Sequence, residues 1–196
     1  MPRRNGVDPS GLAPHRSVTA LLLLDLMSDF EFEDGEQVFR RALPVARRIS
    51  AFKARAARRG VPVIYVNDQV GQWRSDFAAL VRRCSDERYR GAPIVRLLAP
   101  GPNDYCVLKP KHSGFFETPL DTLLRYIGAK KLIVTGVSSS QCVLFTANDA
   151  YVRDFELAIP RDCIAARTTG ETRFALRYFE SVLKADTRPA ARLRLP

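Results

Sequence analysis

Two apolar runs that each end in a carboxylate decide the fold: residues 18–25, VTALLLLD, and residues 61–68, VPVIYVND. Neither run alternates between polar and apolar residues, which is typical of strands buried on both faces of a parallel sheet. Shorter runs of the same kind lie at 105–108, 132–136 and 155–159. Segments with helical spacing separate the runs, so we predict an α/β fold: a three-layer α/β/α sandwich around a mainly parallel, Rossmann-like sheet.

Four helices are predicted between and after these strands, and the first is the longest. Over residues 36–59, apolar residues recur every three or four positions while arginines fall on the opposite side. Pro44 predicts either a later start for this helix or a kink. The other three helices are predicted at 119–127, 141–151 and 171–183.

Length and composition favour one globular domain. The chain has 196 residues, 46% of them hydrophobic, and lacks any apolar stretch of the roughly 20 residues that a membrane span needs. We therefore expect a soluble cytoplasmic protein without a membrane partner, with a domain over residues 18–196 behind a flexible basic arm at 1–17. Its four cysteines form no Cys-x-x-Cys pair, which predicts free thiols and excludes a disulfide scaffold or a zinc ribbon.

The net charge of +10 makes nucleic acid the first partner to consider. The excess is confined to residues 1–17, 36–59 and 184–196, and the rest of the chain is slightly negative. The charge therefore indicates a basic outer surface, suited to an oligomer contact or to nonspecific attraction for polyanions. We predict no specific nucleic-acid partner.

Candidate functional residues lie where strands end, because ligands of open α/β sheets bind beyond the carboxyl ends of the strands. Asp25 and Lys109 each follow an apolar run, and Cys142 follows a small, polar turn before a helix, where backbone N–H groups favour a thiolate. Each has an ordinary alternative: a capping or loop aspartate, a solvated lysine and a buried, inert cysteine.

Three segments together resemble the isochorismatase-like cysteine hydrolase superfamily, which includes nicotinamidases, N-carbamoylsarcosine amidohydrolase and maleamate amidohydrolase. They are residues 20–30, ALLLLDLMSDF; residues 107–120, VLKPKHSGFFETPL; and residues 132–150, which contain LIVTGV at 132–137, CV at 142–143 and TANDA at 146–150. The resemblance extends over about residues 18–183, in order and with the expected spacing. It implies the same α/β/α fold.

The resemblance also implies roles for individual residues. Asp25, Lys109 and Cys142 match the family's catalytic triad, in which the aspartate takes the thiol proton, the lysine stabilises the charged pair and the cysteine attacks a carbonyl carbon. The family's oxyanion hole corresponds to the backbone N–H groups of Ser138 and Cys142, after a cis peptide bond that would join Val137 and Ser138. Glu117 stands where the family commonly has glycine.

Departures from relatives narrow the expected reaction. Nicotinamidases of the family hold a metal with Asp-x-His and a further His, whereas this chain has only His15 and His112 and carries Asn-Asp-Gln at 67–69. We therefore expect no metal, no cofactor and no activity on nicotinamide. Candidates for the substrate pocket are Phe30, Trp73 and Phe115, with core packing as the alternative, and Arg74 is a candidate for a substrate carboxylate.

The sequence thus predicts a metal-independent cysteine hydrolase that cleaves an amide or carbamoyl C–N bond of a small molecule. An isochorismatase-type ether hydrolase is one alternative, although such enzymes do not need the cysteine. A catalytically silent binding or scaffold protein of the same fold is the other. Relatives commonly form homo-oligomers, so a dimer or tetramer is expected.

Overall fold

Every predicted apolar run forms a strand of one parallel sheet in the computed structural model, which describes residues 15–69 and 76–196. The strands are β1 (Thr19–Leu24), β2 (Val63–Asp68), β3 (Tyr105–Lys109), β4 (Lys131–Val137), β5 (Glu156–Ala158) and β6 (Ile164–Ala165). The sequence did not predict β6, whose two residues pair with β4 beyond the end of β5. A strand of two residues is too short to leave a periodic signal.

The strand order is β3-β2-β1-β4-β5, so the chain adds strands on one side of β1 and then crosses to the other. The order therefore reverses between β1 and β4, which is where ligands of such sheets bind. The two strands come very close there. Gly136 pairs with Leu24 and has a φ of +118°, and a Cβ atom at this position would lie 2.1 Å from the Leu24 carbonyl oxygen.

Helices cover both faces of the sheet, which confirms the predicted three-layer architecture. They are α1 (Gly35–Arg58), α2 (Phe77–Cys84), α3 (Ala92–Leu97), α4 (Leu120–Ile127), α5 (Cys142–Tyr151) and α6 (Thr169–Ser181), followed by a 3-10 helix at Ala190–Arg192. One apolar core joins α1, α2 and α3 to side chains such as Leu21 and Leu23, and the other joins α4, α5 and α6 to Leu22 and Leu24. No helix within the described residues is long and apolar enough to cross a membrane.

The first helix runs without a break from Gly35 through Pro44 to Arg58, so the proline does not delay its start. A proline on the solvent side removes one backbone hydrogen bond without disturbing the apolar face. The sequence analysis missed α2 and α3, which have eight and six residues. Asp76 could have indicated α2, because its side chain caps the helix by accepting from the Ala79 amide at 2.6 Å.

Part of the predicted basic arm at residues 1–17 contacts the domain. His15 Nδ1 lies 2.7 Å from the Tyr105 hydroxyl, and the Ser17 amide donates to the Ile127 carbonyl at 3.1 Å. Residues 1–14 lie outside the described residues. The flexibility of the arm therefore stays a prediction.

Candidate active site

Three chain segments bring Asp25, Lys109 and Cys142 into contact at the carboxyl edge of the sheet. Asp25 follows β1, Lys109 ends β3 and Cys142 begins α5. Lys109 Nζ lies 2.9 Å from Asp25 Oδ2 and 3.4 Å from Cys142 Sγ. Because β2 separates β3 from β1, the ammonium must reach across two strand spacings of about 4.8 Å each. Only a long cationic side chain can do this, and that of Lys109 is fully buried.

Asp68 completes this cluster, and the sequence analysis did not select it. It ends β2, directly beside Lys109 in the strand register, and its carboxylate accepts a short hydrogen bond from the lysine ammonium. Its backbone N–H donates to Asp25 Oδ1 at 2.7 Å, which orients the Asp25 carboxylate. The available signal was position: both 18–25 and 61–68 end in an aspartate. In the structure the Asp68 side chain is half-exposed.

Burial controls the protonation of the cluster. It raises the pKa of Asp25 to about 6, since the attraction of Lys109 only partly offsets the loss of water and Asp68 adds repulsion. Burial alone would lower the pKa of Lys109, but the facing carboxylate of Asp25 and the neighbouring groups raise it. Burial also raises the pKa of the Cys142 thiol, with a further contribution from Asp25 and an opposing one from Lys109.

Burial shifts the pKa of Cys142 in the direction opposite to the one that a helix N-terminus favours. Cys142 does begin α5, as predicted, but its side chain is only 5% exposed. Loss of hydration and repulsion from Asp25 outweigh the attraction of the Lys109 ammonium, which favours the neutral thiol. A nucleophilic thiolate at this position requires a base in contact with it.

The turn before Cys142 is held by the strand that the sequence did not predict. The Ser139 amide donates to the Ala165 carbonyl of β6 at 2.7 Å, and the Val143 amide donates to the Ser138 carbonyl at 3.1 Å. The Val137–Ser138 peptide bond is cis, as the resemblance implied. Among the described residues, no protein acceptor takes a hydrogen bond from the backbone N–H of Ser138 or Cys142.

A cleft of about 780 Å³ opens over Cys142 and is bordered by the segments that follow β1, β2 and β4. Phe30 borders it, although its ring is fully buried against Phe32 and Phe39. Phe115 lies in the core against Phe155 and is not part of the cleft lining, because it points into the layer of α4, α5 and α6. Trp73 lies outside the described residues, as does Arg74.

His112 lies at the mouth of the site, with Nδ1 3.6 Å from Cys142 Sγ and its ring against Phe145. From the sequence, His112 entered only as one of two histidines that cannot complete a metal site. The signal that could have placed His112 near the thiol was its position three residues after Lys109, because the Lys109 ammonium ends beside the Cys142 sulfur.

The atoms of Asp25, Asp68 and Cys142 that could bind a metal lie within 4.8 Å of one another. Lys109 Nζ contacts all three residues. A metal ion in this cluster would have to displace a buried ammonium that already neutralises the carboxylates. The donor set therefore suits a lysine side chain better than an added cation.

Comparison with known proteins identifies the family. The family model for the isochorismatase domain matches residues 19–187. The isochorismatase family protein YaaI of Bacillus subtilis is 40% identical over 167 residues, which cover 85% of this chain and 91% of that protein. The chain therefore belongs to the isochorismatase family of hydrolases.

Two more distant similarities are to proteins named as amidases. A segment of 62 residues is 42% identical to the ureidoacrylate amidohydrolase RutB of Methylorubrum extorquens, but it covers 32% of this chain and 25% of that enzyme. The crystal structure of N-carbamoylsarcosine amidase from Thermoplasma acidophilum superposes with a TM-score of 0.70 and 24% identity, covering 91% of this chain and all of that one. The latter similarity shows a shared fold.

Proposed function

We propose that the protein is a cysteine hydrolase that cleaves an amide or carbamoyl C–N bond of a small molecule, with Cys142 as the nucleophile. The observation that carries this proposal is the contact of the buried Cys142 thiol with the Lys109–Asp25 ion pair at the base of a cleft. A thiol, a base and a cation in mutual contact are the elements of a thiol nucleophile that is activated on demand.

The reaction begins with transfer of the thiol proton to Asp25, whose pKa of about 6 suits a base that works near neutrality. The Cys142 thiolate then attacks the carbonyl carbon and forms a C–S bond, while the carbonyl oxygen becomes an oxyanion. The free N–H groups of Ser138 and Cys142 are placed to receive that oxyanion. Lys109 keeps its proton throughout and stabilises the negative charge that passes between the thiol and the carboxyl group.

Collapse of the intermediate breaks the C–N bond, and the leaving ammonia or amine takes the proton from Asp25. A thioester on Cys142 remains. Asp25 then removes a proton from water, whose oxygen attacks the thioester carbon. The C–S bond breaks, the carboxylic or carbamic acid leaves, and the thiol recovers its proton. Every proton in this sequence is carried by a side chain or the substrate, so the route needs no metal.

The test compares the wild type with Cys142→Ala and a matched control, Cys163→Ala, which removes another buried thiol outside the cleft. Ammonia release is followed on a panel of small amides and ureides, and a thioester is sought by mass spectrometry of the acid-quenched protein. We expect Cys142→Ala to lose at least about 10⁴-fold in kcat/KM, as nucleophile removal does in other covalent hydrolases. Cys163→Ala should retain the activity.

Two outcomes would overturn the proposal. Equal turnover by Cys142→Ala would exclude a thioester and favour a reaction that does not need the cysteine, such as ether hydrolysis. Absence of turnover across the panel, together with no alkylation of Cys142 near neutral pH, would favour a silent binding protein of the same fold.

A further inference from the structure

The wall of the cleft is acidic, although the chain as a whole is strongly basic. Besides Asp25 and Asp68, five carboxylate side chains line it: Asp29, Glu31, Glu33, Asp34 and Glu171. The described lining residues include only two arginines, Arg83 and Arg167, and the imidazole of His112. The cleft therefore opposes the net charge of +10 that the sequence carries.

Both arginines of the wall are already engaged by carboxylates. Arg83 directs Nε and Nη2 to the same oxygen, Asp29 Oδ2, at 3.2 and 3.0 Å. Arg167 donates to Asp34 at 2.9 Å through Nη1 and to Glu171 through Nε and Nη2 at 3.1 and 2.9 Å. Each guanidinium is therefore already paired with a carboxylate of the wall, and a substrate carboxylate would have to share it.

An independent observation also points to a ligand that donates hydrogen bonds. Asn67 lines the cleft with its side chain almost fully buried, and its Nδ2 donates to the Met27 carbonyl at 3.0 Å. That bond fixes the orientation of the amide and leaves Oδ1 without a partner among the described residues. A buried acceptor without a donor is costly, and Oδ1 has almost no accessible surface in this arrangement. A slight turn of the Asn67 amide toward the cleft would let an N–H or ammonium group of a ligand satisfy it.

We infer that the cleft selects amides whose remaining groups are uncharged or cationic, and rejects amides that carry a carboxylate. This inference rests on the proposed function and names its substrate class. The carboxylates of the wall outnumber the cations paired with them, which are Lys109, Arg83, Arg90 and Arg167. A carboxylate entering the cleft therefore meets net negative charge and finds no unengaged cation in the described lining. A neutral or cationic group meets acceptors instead.

The first arm of the test uses three primary amides of matched length. They are succinamate, which is anionic, succinamide, which is neutral, and β-alaninamide, which is cationic. We expect kcat/KM for succinamate to be at least about 10-fold below that for the other two, equivalent to about 1.4 kcal/mol. Added salt should narrow the gap, because it screens charges at the cleft mouth.

The second arm does not depend on turnover. Iodoacetamide and iodoacetate differ in charge but alkylate a thiol by the same displacement of iodide. Peptide mass spectrometry reports the rate ratio at Cys142 and, in the same molecule, at the exposed Cys106. We expect the preference for the neutral reagent at Cys142 to exceed that at Cys106 by at least about 10-fold, the factor expected for the amides.

Two matched variants test whether the preference for the neutral reagent comes from the charge of the cleft wall. Glu33→Gln removes an exposed charge from the cleft wall and should reduce the preference at Cys142. Glu156→Gln removes the same charge from the start of β5, at the opposite edge of the sheet, and should leave the preference unchanged.

Equal ratios at Cys142 and Cys106, or faster hydrolysis of succinamate, would overturn the inference. If Arg74→Ala then abolished a preference for the anion, Arg74 would be the carboxylate partner that the sequence suggested. If Cys142 discriminates between the alkylating reagents but no amide is hydrolysed, the charge selection stands and the proposed amidase function fails.

Discussion

Two buried cysteines of this protein lie beside an aspartate, in regions that differ in almost every other respect. Cys142 lies under the acidic cleft. Cys163 lies beside a groove of about 570 Å³ between α1 and α6, lined by Arg40, Arg41, Arg48, Arg161 and Arg173. Burial is the first cause of a raised pKa at both thiols, and an aspartate adds to it in both.

The difference is one of contact and access. Cys142 contacts the Lys109 ammonium, begins a helix and borders an open cleft. Cys163 is completely buried and lies directly before β6. Its backbone carbonyl accepts a hydrogen bond from the Gly136 amide of β4 at 2.9 Å and so extends the pairing within the sheet. Both regions thus contain a buried thiol, a carboxylate and nearby positive charge, and these features alone do not separate them. A cation in direct contact and a route for the substrate distinguish the two regions.

The largest expected effect comes from removing each aspartate in turn. Asp25→Asn eliminates the proposed base, so kcat/KM for an amide should fall by about 10²- to 10⁴-fold, and alkylation of Cys142 should slow. Asp162→Asn, beside Cys163, keeps an oxygen for the Ala190 amide and should change kcat/KM by less than about two-fold. Similar losses in the two variants would mean that the contrast between the regions is structural and not catalytic.

The next largest effect should be the loss of folding stability when a buried cation is removed. Lys109→Met leaves the buried Asp25 without its ion pair and should lower the free energy of unfolding by about 3–5 kcal/mol in urea titrations. Lys131→Met breaks a pair with the exposed Glu156 and should cost at most about 1 kcal/mol. Adding Asp25→Asn to Lys109→Met should recover part of the loss. Equal losses in the free energy of unfolding for the two lysine variants would contradict the presence of a buried ion pair at Lys109.

The smallest effect is a displacement of the pH profile. The proposed base works as a carboxylate, so kcat/KM should rise with pH through the Asp25 pKa of about 6. Asp68 repels the ionised form and raises that pKa, so Asp68→Asn should move the acid limb to lower pH. Asp162→Asn serves as the control and should leave the limb in place. A limb that does not respond to Asp68 would assign the titration to another group.

The sequence predicted the residues that meet at the site because each occupies a fixed place relative to a strand or helix. In a parallel sheet, the ends of β1 and β3 and the start of α5 must face the same edge. Asp68 occupies an equivalent place but was passed over, since only the register of β2 against β3 sets it beside Lys109. For Phe115 the sequence left pocket and core open, and the side chain lies in the core, because its distance along the chain from Lys109 does not determine which core it enters.

The sequence by itself determined the parallel sheet and its two helical layers, because apolar periodicity is a local property, and its resemblance to a known family singled out three side chains at the carboxyl edge. Only the tertiary structure decided the protonation of those side chains, since the pKa of a group depends on how much water the fold removes from it. Tertiary structure also decided where the charge lies. A chain of net charge +10 folds with carboxylates around its thiol and arginines on its outer helix, because charge is distributed in space and not along the chain.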